Sequence, residues 1–100
     1  MSQIQHIVLL KFKPETSSET ISELLRKLEN LKIVIPGITY FAGGAYSSHE
    51  GLNKNYTHGF LMTFESAAAR DHYLPHPAHE QVKAEILKHI DDVIAFDIEA

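Results

Sequence analysis

The sequence predicts an α+β fold of order β-α-β-β-α-β, an antiparallel sheet with both helices on one face. Three observations carry that expectation. Ile4–Phe12 and Tyr56–Glu65 alternate in side-chain character at period two, a single apolar stripe at helical spacing lies between them, and Pro-Gly or Pro-x-Pro signals punctuate the junctions. The 100 residues, 44% hydrophobic and 22% charged, fit one ordinary domain over residues 1–100.

In the first strand Ile4, His6, Val8, Leu10 and Phe12 share one face, while Ile7 and Leu9 add apolar groups to the other. Pro14 ends it, and Thr16-x-x-Glu19 reads as a capping box opening a helix. Ile21, Leu24, Leu25, Leu28 and Leu31 form the helix's apolar stripe, with Glu23, Arg26, Lys27 and Asn30 between them. After the Pro36-Gly37 turn, Ile38–Tyr46 reads as a strand with a bulge or kink at Gly43-Gly44, followed by a polar loop, Ser47–Asn55. In the third strand Tyr56, His58, Phe60, Met62 and Phe64 alternate with Thr57, Gly59, Leu61, Thr63 and Glu65. Ser66 caps a helical stretch, Ala67–Tyr73, that Pro75 and Pro77 interrupt, biasing Leu74 and His76 toward extended backbone. Pro77 then opens a second segment reaching about Ile90, and Val93–Ile98 closes the chain as a strand. This order is the split βαβ, or ferredoxin-like, arrangement. Its other sheet face carries Ile7, Leu9, Ile94 and Phe96, and a second copy packed sheet to sheet across a two-fold axis would cover it, so a homodimer is expected.

Composition narrows the function classes. With no cysteine, disulfides, thiolate catalysis and Cys-ligated metal sites are excluded. The N-terminus has no basic segment ahead of its apolar run, and Ile7–Leu10 is far too short to span a bilayer, so a cytoplasmic protein without membrane contact is expected. Nine Lys and Arg against thirteen Asp and Glu give a net charge of −4, and the scattered basic residues argue against nucleic acid.

Seven histidines are the unusual count. His72-Tyr73-Leu74-Pro75-His76-Pro77-Ala78-His79 gathers three imidazoles and a phenol into eight residues. As metal ligands, His72, His76 and His79 with Glu80 would need to converge, and the two prolines break the helical spacing that would align them, so no metal site is assigned. As acid–base groups, His79 near a helix N-terminus is suited to take a proton as neutral imidazole, and Tyr73 to donate to a developing enolate oxygen. Against both stands a structural reading in which His76 caps a turn, His72 faces solvent and Tyr73 is core. His6 and His58 sit on strand faces that read as buried, in strands that are neighbours in this topology. They either line one pocket floor or are hydrogen-bonded core residues. His49 and His89 read as surface, and Gly43-Gly44 lacks the context of a phosphate loop.

These residues resemble a family. His6-x-Val8-x-x-Lys11-Phe12-Lys13, the Ile35-Pro36 turn, Tyr56-Thr57-His58, Thr63-Phe64-Glu65-Ser66, Tyr73-x-x-His76-Pro77-x-His79 and Phe96-Asp97 together resemble the stress-responsive dimeric α/β-barrel (Dabb) family over nearly the whole chain. The resemblance implies a ferredoxin-like protomer paired sheet to sheet into a barrel. It also implies a stress-associated protein of unresolved biochemical role with a small-molecule pocket between sheet and helices. The expected lining is His6, Val8, Leu10, Leu28, His58, Phe60, Met62, His76 and Val82. The alternative is a cyclase, lyase or isomerase: a plant cyclase of the family closes a poly-β-keto thioester through a Tyr and a His that match Tyr73 and His79, with no cofactor. Leu28, Gly43 and Lys83 stand where that cyclase has tyrosine, tryptophan and glycine, which argues against a polyketide substrate; a small hydrophobic, phenolic or carbonyl ligand is the expectation that remains. The resemblance further implies magnesium near Leu31–Ile38 in some members. That segment has no carboxylate here, so an ion bound to its carbonyls is read as incidental.

Overall fold

The period-two alternation of Ile4–Phe12 becomes strand β1, and its two faces set the architecture. In the computed structural model, which describes residues 2–100, it is followed by α1 (Ser18–Val34), β2 (Ile38–Ala45), β3 (His58–Phe64), α2 (Ala67–Tyr73), α3 (Pro77–Leu87) and β4 (Ile90–Glu99). The four strands form one antiparallel sheet in the order β2-β3-β1-β4, the ferredoxin-like topology.

Register decides which residues meet. His6, Val8 and Leu10 pair with Met62, Phe60 and His58 on one side and with Asp97, Ala95 and Val93 on the other. Helices cover this face: Leu24, Leu28 and Leu31 of α1 and Val82 and Ile86 of α3 are buried against it, with Tyr73, Phe64, Leu10, Ile35 and Met62 fully enclosed. The opposite face presents Ile7, Leu9, Leu61, Ile94 and Phe96. Phe96 is 61% exposed, so this face is an apolar surface of the protomer. Its side chains are small at Ala42 and Gly44 of β2 and Gly59 of β3, and bulky at Tyr40 of β2 and at Ile94, Phe96 and Ile98 of the β4 edge.

Local details differ from the sequence expectations in five places. The N-cap of α1 is Ser17, whose hydroxyl accepts from the Thr20 amide at 3.1 Å. The Thr16 hydroxyl instead donates to the His89 carbonyl at 3.3 Å, so the capping box does not form. The irregularity in β2 lies between Ile38 and Tyr40 rather than at Gly43-Gly44. Gly43 serves close packing: a Cβ there would lie 3.1 Å from the Phe60 Cβ and 3.2 Å from the Phe41 ring. Leu74 keeps helical backbone despite preceding Pro75, because its amide still bonds the Arg70 carbonyl at 3.1 Å. α3 ends at Leu87 and β4 already begins at Ile90, joined by a tight turn in which the His89 amide bonds the Ile86 carbonyl at 2.9 Å. Asp91 and Asp92 disguise that strand start, since aspartate is depleted in strands. Here Asp92 accepts from the Tyr56 hydroxyl at 2.6 Å.

Candidate functional site

α2 and α3 meet at the kink made by Pro75 and Pro77, and that kink folds His79 back over Tyr73. Their rings lie 4.2 Å apart, centroid to centroid. Beside them a cavity of about 240 Å³ opens between the sheet and the helices, with His6, Val8, Leu10, Leu28, Phe60 and His79 in its wall. Leu74, Lys83, Ile86 and Leu87 complete the helical side, and Ile90, Val93 and Ala95 the β4 side.

The His79 Nδ1 lies 2.9 Å from the Leu74 carbonyl oxygen. A carbonyl only accepts, so Nδ1 carries the hydrogen and in neutral imidazole Nε2 holds the free lone pair. Burial pushes the His79 pKa below its ordinary value, opposed by the Leu74 carbonyl and Glu80. The position in the first turn of α3 favours the neutral ring in the same sense. Tyr73 is fully buried, packed against Phe64 at 4.9 Å and edge-on to His6 at 6.2 Å, so unlike His79 it is not part of the cavity wall. Its hydroxyl has no hydrogen-bond partner in the protein, and burial raises its pKa far above the phenol range, so it stays protonated.

His6 is the third member. Its Nδ1 lies 2.6 Å from Asp97 Oδ1, and the other carboxylate oxygen accepts from Arg70 Nη1 at 3.1 Å. For Asp97, burial raises the pKa, but hydrogen bonds and charge from His6 and Arg70 outweigh it and hold the carboxyl below its ordinary value. This Arg70–Asp97–His6 chain fixes the ring and turns its Nε2 edge away from the carboxylate. Neither Asp97 nor Arg70 was among the expected site residues. The available signal was a carboxylate interrupting the apolar DVIAFDI segment, on the face opposite Phe96.

Other expected members fall elsewhere. His58 shares a sheet face with His6 but pairs with Leu10, four residues along the strand and so about 13 Å away. Its ring meets Phe12 edge-on at 5.2 Å and its Nδ1 lies 2.9 Å from the Thr57 hydroxyl, so it does not share the cavity with His6. Met62 is fully buried core, and Val82 is buried in the helix layer. His76 is the N-cap of α3, its Nδ1 accepting from the Ala78 amide at 3.0 Å. The His72 and His76 rings are 6.0 Å apart, and among the described residues no group of three His, Cys, Asp or Glu converges as a metal would need.

The lowered His79 pKa has a measurable consequence. The unfolded chain takes up a proton at this imidazole as pH falls through about 6.5, whereas the folded protein resists it, so the unfolded state binds more protons and stability falls with falling pH. His58, lowered by burial, acts in the same direction. Urea melts between pH 8 and pH 5.5 should therefore show stability declining toward acid, with a shallower decline in His79→Asn; an unchanged slope in that variant would contradict a neutral buried His79.

A ferredoxin-like sheet with helices over one face, a histidine-lined cavity between the layers and an apolar outer face defines an α/β-barrel type of protomer. The chain belongs to the stress responsive A/B barrel domain (Dabb) family, whose model matches residues 4–100. It is 37% identical over 94 residues, 94% of this chain and 86% of its relative, to stress-response A/B barrel domain-containing protein HS1 of Arabidopsis thaliana. It is 32% identical over 76 residues to olivetolic acid cyclase of Cannabis sativa, covering 76% of this chain and 75% of the cyclase. Among solved structures, a dimeric ferredoxin-like protein of unknown function from Jannaschia sp. superposes with a TM-score of 0.88 at 29% identity, covering 98% of this chain and 99% of that one. No helix among the described residues is long and apolar enough to cross a membrane.

Proposed function

We propose that the cavity between sheet and helices binds a small carbonyl compound and moves a proton at the carbon next to its carbonyl, without a cofactor. The observation that carries this reading is the buried, unpartnered hydroxyl of Tyr73 packed against His79, whose Nδ1 is tied to Leu74. A buried hydroxyl without a partner costs stability; Tyr73 lies outside the cavity wall, so a ligand oxygen supplies the partner as the His6 and His79 rings packed against Tyr73 move aside.

In the proposed reaction His79 Nε2 takes the α-proton, while the Tyr73 hydroxyl donates to the carbonyl oxygen as negative charge builds there. The pair of electrons from the C–H bond becomes the enolate. It then returns to a proton, as in an isomerase, or attacks a second carbonyl in the same molecule, as in a cyclase. His6, held by Asp97, is a positioning group for the carbonyl end. A cavity of about 240 Å³ equals roughly eight water volumes, which suits a compound with on the order of ten heavy atoms. The cyclase relative supports the chemistry, and the mainly apolar wall supports an aryl or alkyl substituent.

The binding half of this reading is tested by thermal shift with benzylacetone and benzylpyruvate, since a ligand of the native state raises the melting midpoint by mass action. A concentration-dependent rise in wild type that His79→Ala diminishes supports the site. No rise with either compound at millimolar concentration contradicts it.

We further propose a cytoplasmic homodimer paired through the outer sheet face. The dimeric Jannaschia relative and the exposed Leu9, Ile94, Phe96 and Ile98 support this. The small residues Ala42, Gly44 and Gly59 favour a two-fold axis along the strands, which lays the bulky β4 of one copy over them in the other. There Gly44 and Gly59 line a groove of about 480 Å³. Light scattering at micromolar concentration should give twice the 11.3 kDa chain mass, and Phe96→Asp should shift it toward monomer; a monomeric wild type contradicts the pairing.

A further inference from the structure

The polar side chains in the cavity wall are His6, His79 and Lys83: two imidazoles and an ammonium. No carboxylate, carboxamide or hydroxyl side chain lines it in this structure, because Asp97 sits behind His6, the enclosed Tyr73 is packed behind His6 and His79, and Glu80 is outside. A wall whose polar groups are all nitrogen bases is complementary to an oxygen-rich, anionic ligand. Leu74, Leu87 and Val93, all partly exposed, also line it, and Lys83 is its one ammonium.

We infer that Lys83 is the anion-recognising residue of this cavity and that its ligand is a keto acid rather than a neutral ketone. The inference rests on the carbonyl-binding reading above and specifies its substrate class. Lys83 lies one turn after His79 on α3, so the two side chains leave the same helix face with Cβ atoms about 5–6 Å apart. A carbonyl within reach of His79 therefore has its neighbouring carboxylate within reach of Lys83. Only a short linkage between the two groups satisfies both contacts.

Lys83 is available for this role. Its ammonium is 3.7 Å from Glu80 Oε1, a loose and exposed contact, with the two side chains 54% and 52% accessible. Such a pair contributes little to folding, and a ligand carboxylate entering from the cavity side can replace it. Glu80 is thereby the competing anion, and its carboxylate also lies 3.6 Å from His79 Nδ1.

The test compares benzylpyruvate with benzylacetone, which differ only by a carboxylate in place of a methyl group, in titration calorimetry on the intact protein. Wild type should bind the keto acid about tenfold more tightly than the ketone. Lys83→Met should bring the two affinities together, Lys83→Arg should retain the preference, and Glu80→Gln should strengthen it. Equal binding of both compounds by wild type, or a preference that survives Lys83→Met, overturns the inference while the cavity reading stands. Failure of both compounds to bind overturns the inference and the cavity reading together.

Discussion

Replacing His79 by alanine should lower the rate of α-proton transfer by about 10²–10⁴-fold, the range for loss of a positioned general acid or base. The size of the effect follows from the geometry. Nδ1 is committed to the Leu74 carbonyl, so the ring presents one lone pair at Nε2, and burial keeps that lone pair free of a proton at neutral pH. Tyr73 is held protonated and cannot replace it, whereas His6, whose Nδ1 is tied to Asp97 and whose Nε2 edge is free, accounts for the rate that remains. His79→Ala also leaves a space of imidazole size beside the cavity, so added imidazole should restore part of the rate. Folding should survive, because His79 sits at the cavity rather than among the buried apolar residues of the core. The readout is the rate of deuterium entry into benzylacetone compared with wild type. A variant as fast as wild type would remove His79 from the mechanism.

Tyr73→Phe should separate stability from function. In most buried tyrosines the hydroxyl is hydrogen-bonded, and its removal destabilises. Here it has no partner, so removing it relieves a desolvation cost of about 1–3 kcal/mol, and the ring's packing against Phe64 and His79 is retained. For a chain of this size each kcal/mol is worth about 4–8 °C in Tm, so the variant should melt measurably higher than wild type. Its rate should fall by about 10²–10³-fold, the cost of losing one donor to a developing oxyanion. Gain in one and loss in the other is the pattern expected when a protein keeps an unfavourable group for its chemistry. A lower Tm in Tyr73→Phe would mean that the hydroxyl is bonded in the native state and that its role is structural.

Much of the fold was legible because period and punctuation are unambiguous here. Alternation from Ile4 to Phe12 and the stripe from Ile21 to Leu31 each had one reading, and the sheet order followed from the element order. What the sequence obscured are choices between adjacent residues of like chemistry: Ser17 over Thr16 as cap was settled by which hydroxyl reached the Thr20 amide and which the His89 carbonyl. The start of β4 was hidden by Asp91-Asp92, whose polarity is accounted for only once Tyr56 is seen to bond Asp92. At the candidate site the Tyr73 and His79 positions were readable from the Tyr-x-x-His-Pro-x-His pattern, because prolines mark the kink that brings them together. The Arg70–Asp97–His6 chain was not, since it joins three elements and depends on register that pairs residue 6 with residue 97. His58 shows the converse: a shared face placed it with His6, and four residues of strand length separate them.

Proton transfer at the carbon next to a carbonyl is the activity proposed for this cavity. Proton NMR of benzylacetone in deuterated buffer, with wild-type protein at catalytic concentration, tests it most directly, because exchange at the α-carbon reports proton removal whatever the later fate of the enolate. The α-proton signals should be lost faster than in buffer alone, at a rate that rises with pH as His79 loses its proton and then levels. Binding of the ketone with no exchange beyond the buffer rate would contradict it and leave the cavity as a binding site without acid–base chemistry.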